Sequence, residues 1–221
     1  MNKSPTLEDF AAQRPDAPMR LFGLEVVRGL AILAVLFYHL NLVDFFSAGF
    51  LGVDIFFALS GYLITSLLLR EHAQAGTIGV ISFYVKRFKR LFPACAVMLM
   101  GCLALTPVLD ADTAERFRKD LPAALLYYSN WWQIFSEQSY FENFGHPPLL
   151  RHLWSLAVEE QFYLLFPFLI WFSGFGQQKA KGARNLFLWV GSLTIASLIG
   201  FIYLYQVNQP AAYFLMPPRF W

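Results

Sequence analysis

Five long apolar segments limit what this chain can fold into. They lie at about 21–42, 49–69, 93–109, 152–173 and 186–207, and a helix needs about 18 or more such residues to cross a bilayer. The chain is 57% hydrophobic and only 14% charged, whereas soluble domains carry about 25% charged residues. The sequence therefore predicts an all-α protein, a polytopic transmembrane helix bundle with about five spans in this chain.

Basic residues set the expected orientation, because Lys and Arg in short loops stay on the cytoplasmic side of a membrane. The loops after spans two and four are expected to hold Lys86, Arg87, Lys89 and Arg90, and Lys179, Lys181 and Arg184, respectively. The N-terminus is then cytoplasmic. Residues 1–20 are interpreted as a cytoplasmic N-terminal tail, and residues 21–221 as part of a transmembrane domain.

The stretch LPAALLYYSNWWQIF at 121–135 is the main alternative to this topology. Its apolar and aromatic residues are typical of an interfacial or re-entrant helix, but also of a short sixth span. A sixth span would invert every span after it. We prefer the interfacial interpretation because it keeps Lys179, Lys181 and Arg184 in the cytoplasm.

Ionisable residues inside the predicted spans suggest a polar site. Each costs about 2.5–3.5 kcal/mol to insert, so it normally faces protein or a water-filled cavity. In span one, Arg28 and His39 lie on nearly the same helix face, about 16 Å apart along the axis. Asp54 is the only charge at 49–69. The alternative is structural: Arg28 reaches the interface, His39 is interfacial and Asp54 pairs with a cation.

Two adjacent glutamates interrupt span four. Ser155 and Glu159 are one helical turn apart and share a face, whereas Glu160 lies about 100° further round. We therefore predict that Glu159 belongs to the site and that Glu160 is a structural partner of another helix.

The basic segment FYVKRFKRLFPA at 83–94 also has two interpretations. Arg87 and Arg90 are one turn apart, and two guanidinium groups at that spacing suit a bidentate grip on phosphate. Alternatively, the segment only fixes the topology of the chain.

Four motifs, in this order, resemble the acyltransferase 3 family of membrane O-acyltransferases. They are Arg28-x10-His39, GFLGVDIFFALSGYLI, Arg87-x-x-Arg90 followed by LFPA, and HLWSLAVEEQFYLLFP, within about residues 20–175. The resemblance implies a multi-pass inner-membrane enzyme that moves an acyl group, commonly acetyl, from cytoplasmic acyl-CoA to an extracytoplasmic glycan or glycolipid hydroxyl. Members of this family typically have about ten spans, so the resemblance also implies that this chain is the N-terminal part only. Its last residues, PPRFW, resemble the start of the family's segment before a further span.

The resemblance and the residues together suggest roles for the site. His39 is predicted to be the general base, since neutral imidazole is the usual base near pH 7. Glu159 or Asp54 is expected to hold its tautomer. A covalent acyl-His39 relay and an acyl group carried by Ser155 are alternatives.

The remaining predictions concern ligands. The donor acyl-CoA is a substrate, and its predicted binding residues are Arg28, Arg87 and Arg90. The predicted substrate-binding residues are Ser155 and Arg219. No metal, permanently bound cofactor or nucleic-acid partner is predicted, and Cys95 and Cys102 are too far apart on one helix to form a disulfide.

Two other functions use similar residues. A proton-coupled transporter also places Asp, Glu and His in the membrane, but it predicts inverted repeats, which the sequence lacks. It also leaves Arg87-x-x-Arg90 unexplained. The second alternative is a non-catalytic, glycolipid-binding membrane subunit.

Overall fold

The computed structural model describes residues 22–40, 48–136, 148–175 and 181–220. The predicted tail at 1–20 and Lys179 lie outside these residues. Five of the described helices are long and apolar enough to cross a membrane, over Gly23–Leu40, Gly49–Ala75, Val80–Val108, Leu153–Phe172 and Gly182–Val207. All regular elements in the described ranges are helical. The predicted all-α class and the number of spans are therefore confirmed.

The chain divides into two compact units, residues 1–56 and 57–221, and each is described by itself. The first holds α1 (Phe22–Leu40), a 3₁₀ turn (Gly49–Leu51) and the beginning of α2 (Gly52–Ala75). A Cβ on Gly49 would lie 2.2 Å from the Ala34 carbonyl oxygen, and one on Gly52 would lie 2.5 Å from that of Ala31. Only glycine permits this close packing against α1.

The second unit holds the remaining helices. After the rest of α2 come α3 (Val80–Leu105), α4 (Ala111–Leu125), α5 (Ser129–Phe135), α6 (Leu153–Phe172), α7 (Gly182–Val207) and α8 (Gln209–Phe214). Short 3₁₀ turns follow α3 and α8, at Thr106–Val108 and Pro217–Arg219. A core cluster joins α3 to α4 and to the segment before α6 through Cys95, Leu99, Phe117, Ala124 and Leu150. Cys95 and Cys102 are free, as predicted.

The prediction that the basic residues lie in a loop between spans two and three is wrong. Helix α2 continues to Ala75 and α3 begins at Val80, so Lys86, Arg87, Lys89 and Arg90 are helical. Lys and Arg favour helices, and their long side chains can carry the charge toward the interface. The actual turn is held by Glu71, whose Oε1 accepts a hydrogen bond from the Gly79 N–H at 3.1 Å. Span three therefore starts before its basic residues, not after them.

Helices α3 and α6 are joined beside a proline. Pro167 lies inside α6 and has no N–H to offer the carbonyl four residues earlier. Close by, the Tyr84 hydroxyl of α3 donates a hydrogen bond to the Leu164 carbonyl oxygen at 3.1 Å. This bond connects the two helices at the level of the α6 proline.

Residues 121–135 do not form one continuous helix. Helix α4 ends at Leu125 and α5 begins at Ser129, and Tyr127 between them has a left-handed φ of 54°. The Trp132 indole N–H donates to Asp120 Oδ1 at 2.7 Å and so ties α5 to α4. Burial raises the pKa of the Asp120 carboxyl, against the opposing effects of this bond and of Arg116. A sixth span here is not among those found in the described residues.

Helix α5 has its polar face inside the protein. Ser129, Asn130 and Gln133 are buried, while Phe135 is 75% exposed. Asn130 Nδ2 donates to the Phe214 carbonyl oxygen at 3.1 Å, and Gln161 Nε2 donates to Asn130 Oδ1 at 3.0 Å. Buried hydrogen bonds of side-chain amides thus attach α5 to α6 and α8, and the aromatic side of α5 faces outward. This pattern fits a segment in contact with lipid, so the interfacial or re-entrant placement stays our prediction.

Candidate active site

In the first unit, Arg28 lies against an aromatic ring. Its guanidinium carbon is 5.2 Å from the centre of the Phe56 ring, within the range of a cation–π contact. Arg28 is half-buried. The charge in span one is therefore partly sheltered by a side chain of α2, and Arg28 and His39 share α1 as predicted.

His39 has a defined hydrogen bond at one ring nitrogen. Nδ1 lies 2.8 Å from the Val35 carbonyl oxygen, one turn earlier in α1. A carbonyl only accepts, so Nδ1 carries the hydrogen and Nε2 is the basic nitrogen of the neutral ring. The Tyr38 ring packs edge-on against the imidazole, with 5.1 Å between ring centres. The Val35 carbonyl thus orients the ring at Nδ1, and the role of Asp54 or Glu159 in holding the His39 tautomer stays a prediction.

Asp54 lies in the first turn of α2. The N–H groups and dipole at a helix N-terminus stabilise a negative charge there. Asp54 is half-buried. Its position therefore has a structural explanation in addition to the predicted role in the site.

In the second unit, Glu159 receives two hydroxyl hydrogen bonds. Ser60 Oγ of α2 donates to Glu159 Oε1 at 2.6 Å, and the Tyr163 hydroxyl, one turn further along α6, donates to the same oxygen. Two donors on one oxygen are suited to an ionised carboxylate. Glu159 is therefore held by two side chains within the membrane-spanning part of the chain.

Arg87 joins this group through the Tyr163 ring. Its guanidinium carbon lies 4.8 Å from the centre of the Tyr163 ring and 5.6 Å from that of Phe83. Arg87 is half-buried, whereas Arg90 is exposed. The two arginines of the predicted anion site thus differ in environment, and only Arg87 contacts the glutamate cluster.

Two further polar residues, Ser155 and Glu160, lie in the first half of α6. Ser155 Oγ donates to the His152 carbonyl oxygen at 3.1 Å, which is a local bond near the helix start. Glu160 is half-buried, but no hydrogen bond from a described residue reaches it. Glu159 thus has two hydrogen-bond donors, and the structural role of Glu160 toward another helix stays a prediction.

Arg219 forms a separate cluster. Its Nε donates to the Tyr213 carbonyl oxygen at 3.1 Å, and its guanidinium lies over the rings of Tyr213 and Trp154, at 4.3 and 5.6 Å. Trp154 and Glu159 are five positions apart on α6, which is about 140° round the helix. Arg219 also lines a mainly apolar cavity of about 390 Å³ between α2, α6 and α7.

Sequence reasoning missed three groups of the site. They are the Val35 carbonyl, the Ser60 hydroxyl and the Tyr163 hydroxyl. The one-turn spacing of Glu159 and Tyr163 was visible in the sequence, because residues four apart share a helix face. Ser60 lies 99 positions from Glu159, and no local pattern connects them.

Comparisons with known proteins identify the family. A sequence model described as "Acyltransferase domain", of the acyltransferase 3 type, matches residues 21–219. A predicted O-acetyltransferase of Staphylococcus aureus strain COL is 43% identical over 192 residues, which are 87% of this chain and 31% of the relative. O-acetyltransferase OatA of S. aureus strain NCTC 8325 / PS 47 is 45% identical over 156 residues, or 71% of this chain and 26% of the relative.

The chain thus spans about a third or less of the length of these relatives. No solved structure matches it. The family match covers nearly the whole chain, including both units and every residue of the candidate site. The chain belongs to the acyltransferase 3 family.

Proposed function

We propose that this protein is a membrane O-acyltransferase. It moves an acyl group, commonly acetyl, from cytoplasmic acyl-CoA to a hydroxyl of an extracytoplasmic glycan or glycolipid. The observation that carries the proposal is the polar chain Ser60–Glu159–Tyr163–Arg87 within membrane-spanning helices. Charges there are costly to insert and normally serve a site. The relatives named as O-acetyltransferases support the class of reaction.

The proposed reaction begins at the acceptor hydroxyl. His39 Nε2 takes the hydroxyl proton as the oxygen attacks the thioester carbonyl carbon, because a hydroxyl of high pKa needs a base to act as a nucleophile. A C–O bond forms, the C–S bond breaks, and the CoA thiolate leaves and takes up the proton. The products are an ester and CoA. Glu159 is proposed to assist the transfer through its negative charge.

The proposed orientation follows from the basic residues. They lie near the beginning of α3, and an excess of Lys and Arg marks the cytoplasmic end of a span. We therefore propose that the N-terminus is cytoplasmic, and the inner membrane is the proposed location of the protein. Arg87 and Arg90 then lie on the side where acyl-CoA arrives, and Arg28, Ser155 and Arg219 stay as further candidates for binding substrate.

The donor site is tested by a conservative double substitution. We expect Arg87→Lys with Arg90→Lys to keep the orientation of the chain, because both charges remain. The acyl-CoA Kd should rise about tenfold, since Lys lacks the bidentate fork of a guanidinium. The measurement is acetyl-CoA binding by the purified full-length product of the gene.

The matched control is Lys86→Arg with Lys89→Arg, which exchanges two exposed cations of the same helix. It should leave the Kd unchanged. An unchanged Kd in the Arg87/Arg90 variant, with correct insertion, would show that this segment only fixes topology.

A further inference from the structure

One buried side chain, Tyr163, contacts both charged groups of the second unit. Tyr163 is only 4% exposed. The hydroxyl donates to Glu159 Oε1, and the ring lies under the Arg87 guanidinium, 4.8 Å from the ring centre. The contact with Glu159 therefore depends on the hydroxyl of Tyr163, and the contact with Arg87 depends on its ring.

The hydroxyl restricts the carboxylate. Tyr163 and Ser60 both donate to Oε1 of Glu159, which fixes the rotamer of a flexible side chain from two helices. Both described hydrogen bonds of Glu159 thus fall on the same carboxylate oxygen. Positioned hydrogen bonds of this kind preorganise a charge before the reaction begins.

The ring orients the cation. A guanidinium within about 6 Å of an aromatic ring centre is attracted to the face of the ring. Phe83 supports the same guanidinium, at 5.6 Å. The two ring contacts limit the orientations of the Arg87 guanidinium, whose N–H groups suit an anion such as a CoA phosphate.

We propose that Tyr163 is a positioning residue that holds Glu159 for acyl transfer through its hydroxyl and Arg87 for donor binding through its ring. The inference rests on the proposed function, since it assigns Tyr163 a role in that same site. Tyr163 does not itself take part in bond making. Ser60 assists it at Glu159 alone.

The two halves of the proposal are separated by two substitutions. Tyr163→Phe keeps the ring and removes the hydroxyl, so kcat should fall about tenfold while the acetyl-CoA Kd stays within about twofold. Tyr163→Leu removes both groups, so kcat should fall and the Kd should rise about fivefold or more. Ser60→Ala should resemble Tyr163→Phe. The assay uses the full-length gene product, normalised to the amount inserted in membranes.

The control is Tyr84→Phe, which removes the hydroxyl that bonds the Leu164 carbonyl oxygen between the same two helices. It should leave kcat and Kd unchanged. A Tyr163→Phe enzyme with the kcat of the wild type would overturn the proposal. So would a Tyr163→Leu enzyme with unchanged donor affinity.

A double substitution tests whether Tyr163 acts through Glu159. In a Glu159→Gln background, Tyr163→Phe should cause little further loss of kcat, because coupled residues are not additive. Losses that multiply would contradict the positioning role. Absence of acyl transfer by the wild-type protein would overturn the proposed function and this inference with it, whereas transfer unaffected by Tyr163→Phe overturns this inference alone.

Discussion

Replacing Glu159 with glutamine is expected to lower acyl transfer by about 10²-fold or more, within the range of acid–base participation. The side chain keeps its shape and its Oε1 acceptor, so the bonds from Ser60 and Tyr163 can persist. Only the negative charge is lost. Folding and insertion should therefore be preserved. The measurement is glycan acylation in cells that lack the native enzyme, per molecule of inserted full-length protein.

Glu160→Gln is the matched control, because it changes the same group one position away. Glu160 is half-buried and receives no hydrogen bond from the residues that the structure describes. Its substitution should leave per-molecule activity within a few-fold of wild type. Any loss should appear instead as a smaller amount of inserted protein. Equal per-molecule activity of Glu159→Gln and wild type would disprove the role of Glu159 in the reaction.

His39→Gln is expected to lower acyl transfer by about 10²- to 10⁴-fold, which is the usual contribution of a general base. Glutamine can keep a donor toward the Val35 carbonyl, but it has no nitrogen that takes up a proton near neutral pH. Acyl-CoA binding should change little, because the donor is assigned to arginines. Single-turnover transfer and donor affinity, measured on the same purified protein, check this prediction.

Tyr38→Phe provides the control for the His39 substitution. It keeps the ring that packs against His39 and Phe50 and removes only a hydroxyl. Its activity should match that of the wild type. Transfer by His39→Gln at the rate of the control would exclude His39 as the base.

The spans were predictable because length and apolarity decide them. Bilayer thickness requires long apolar helices whatever their neighbours, and all five appeared in the sequence. The start of span three was predicted too late in the sequence, because hydropathy was the only criterion. Hydropathy alone ends a span at basic residues, but Lys and Arg continue a helix and extend their charges along it.

The glycines show how far pattern reasoning extends. A Cβ on Gly49 or Gly52 would lie 2.5 Å or less from a carbonyl oxygen of α1, so both positions must be small. Gly61 belongs to the same stretch, yet a Cβ there would lie 3.7 Å from Phe166, an ordinary contact. Sequence pattern identifies small residues, whereas the distance to the neighbouring helix decides which of them must be small.

The site was only partly predictable. Glu159 was identified because a charged residue in a span is costly to insert and normally belongs to a polar site. Its hydrogen bond with Ser60, however, depends on how α2 packs against α6. Similarly, the contact of Arg87 with Tyr163 depends on the packing of α3 against α6. Helical periodicity fixes the face of a residue and not its partner on another helix.

The most direct test of the proposed reaction uses inside-out membrane vesicles, whose cytoplasmic face is outside. The vesicles come from a strain lacking the gene, complemented with the full-length wild-type gene or with Glu159→Gln, and they receive radiolabelled acetyl-CoA externally. We expect alkali-labile label to accumulate on enclosed glycan or glycolipid with the wild type, and about 10²-fold less with Glu159→Gln. Wild-type label no greater than in vesicles from the uncomplemented strain would contradict acyl transfer by this protein.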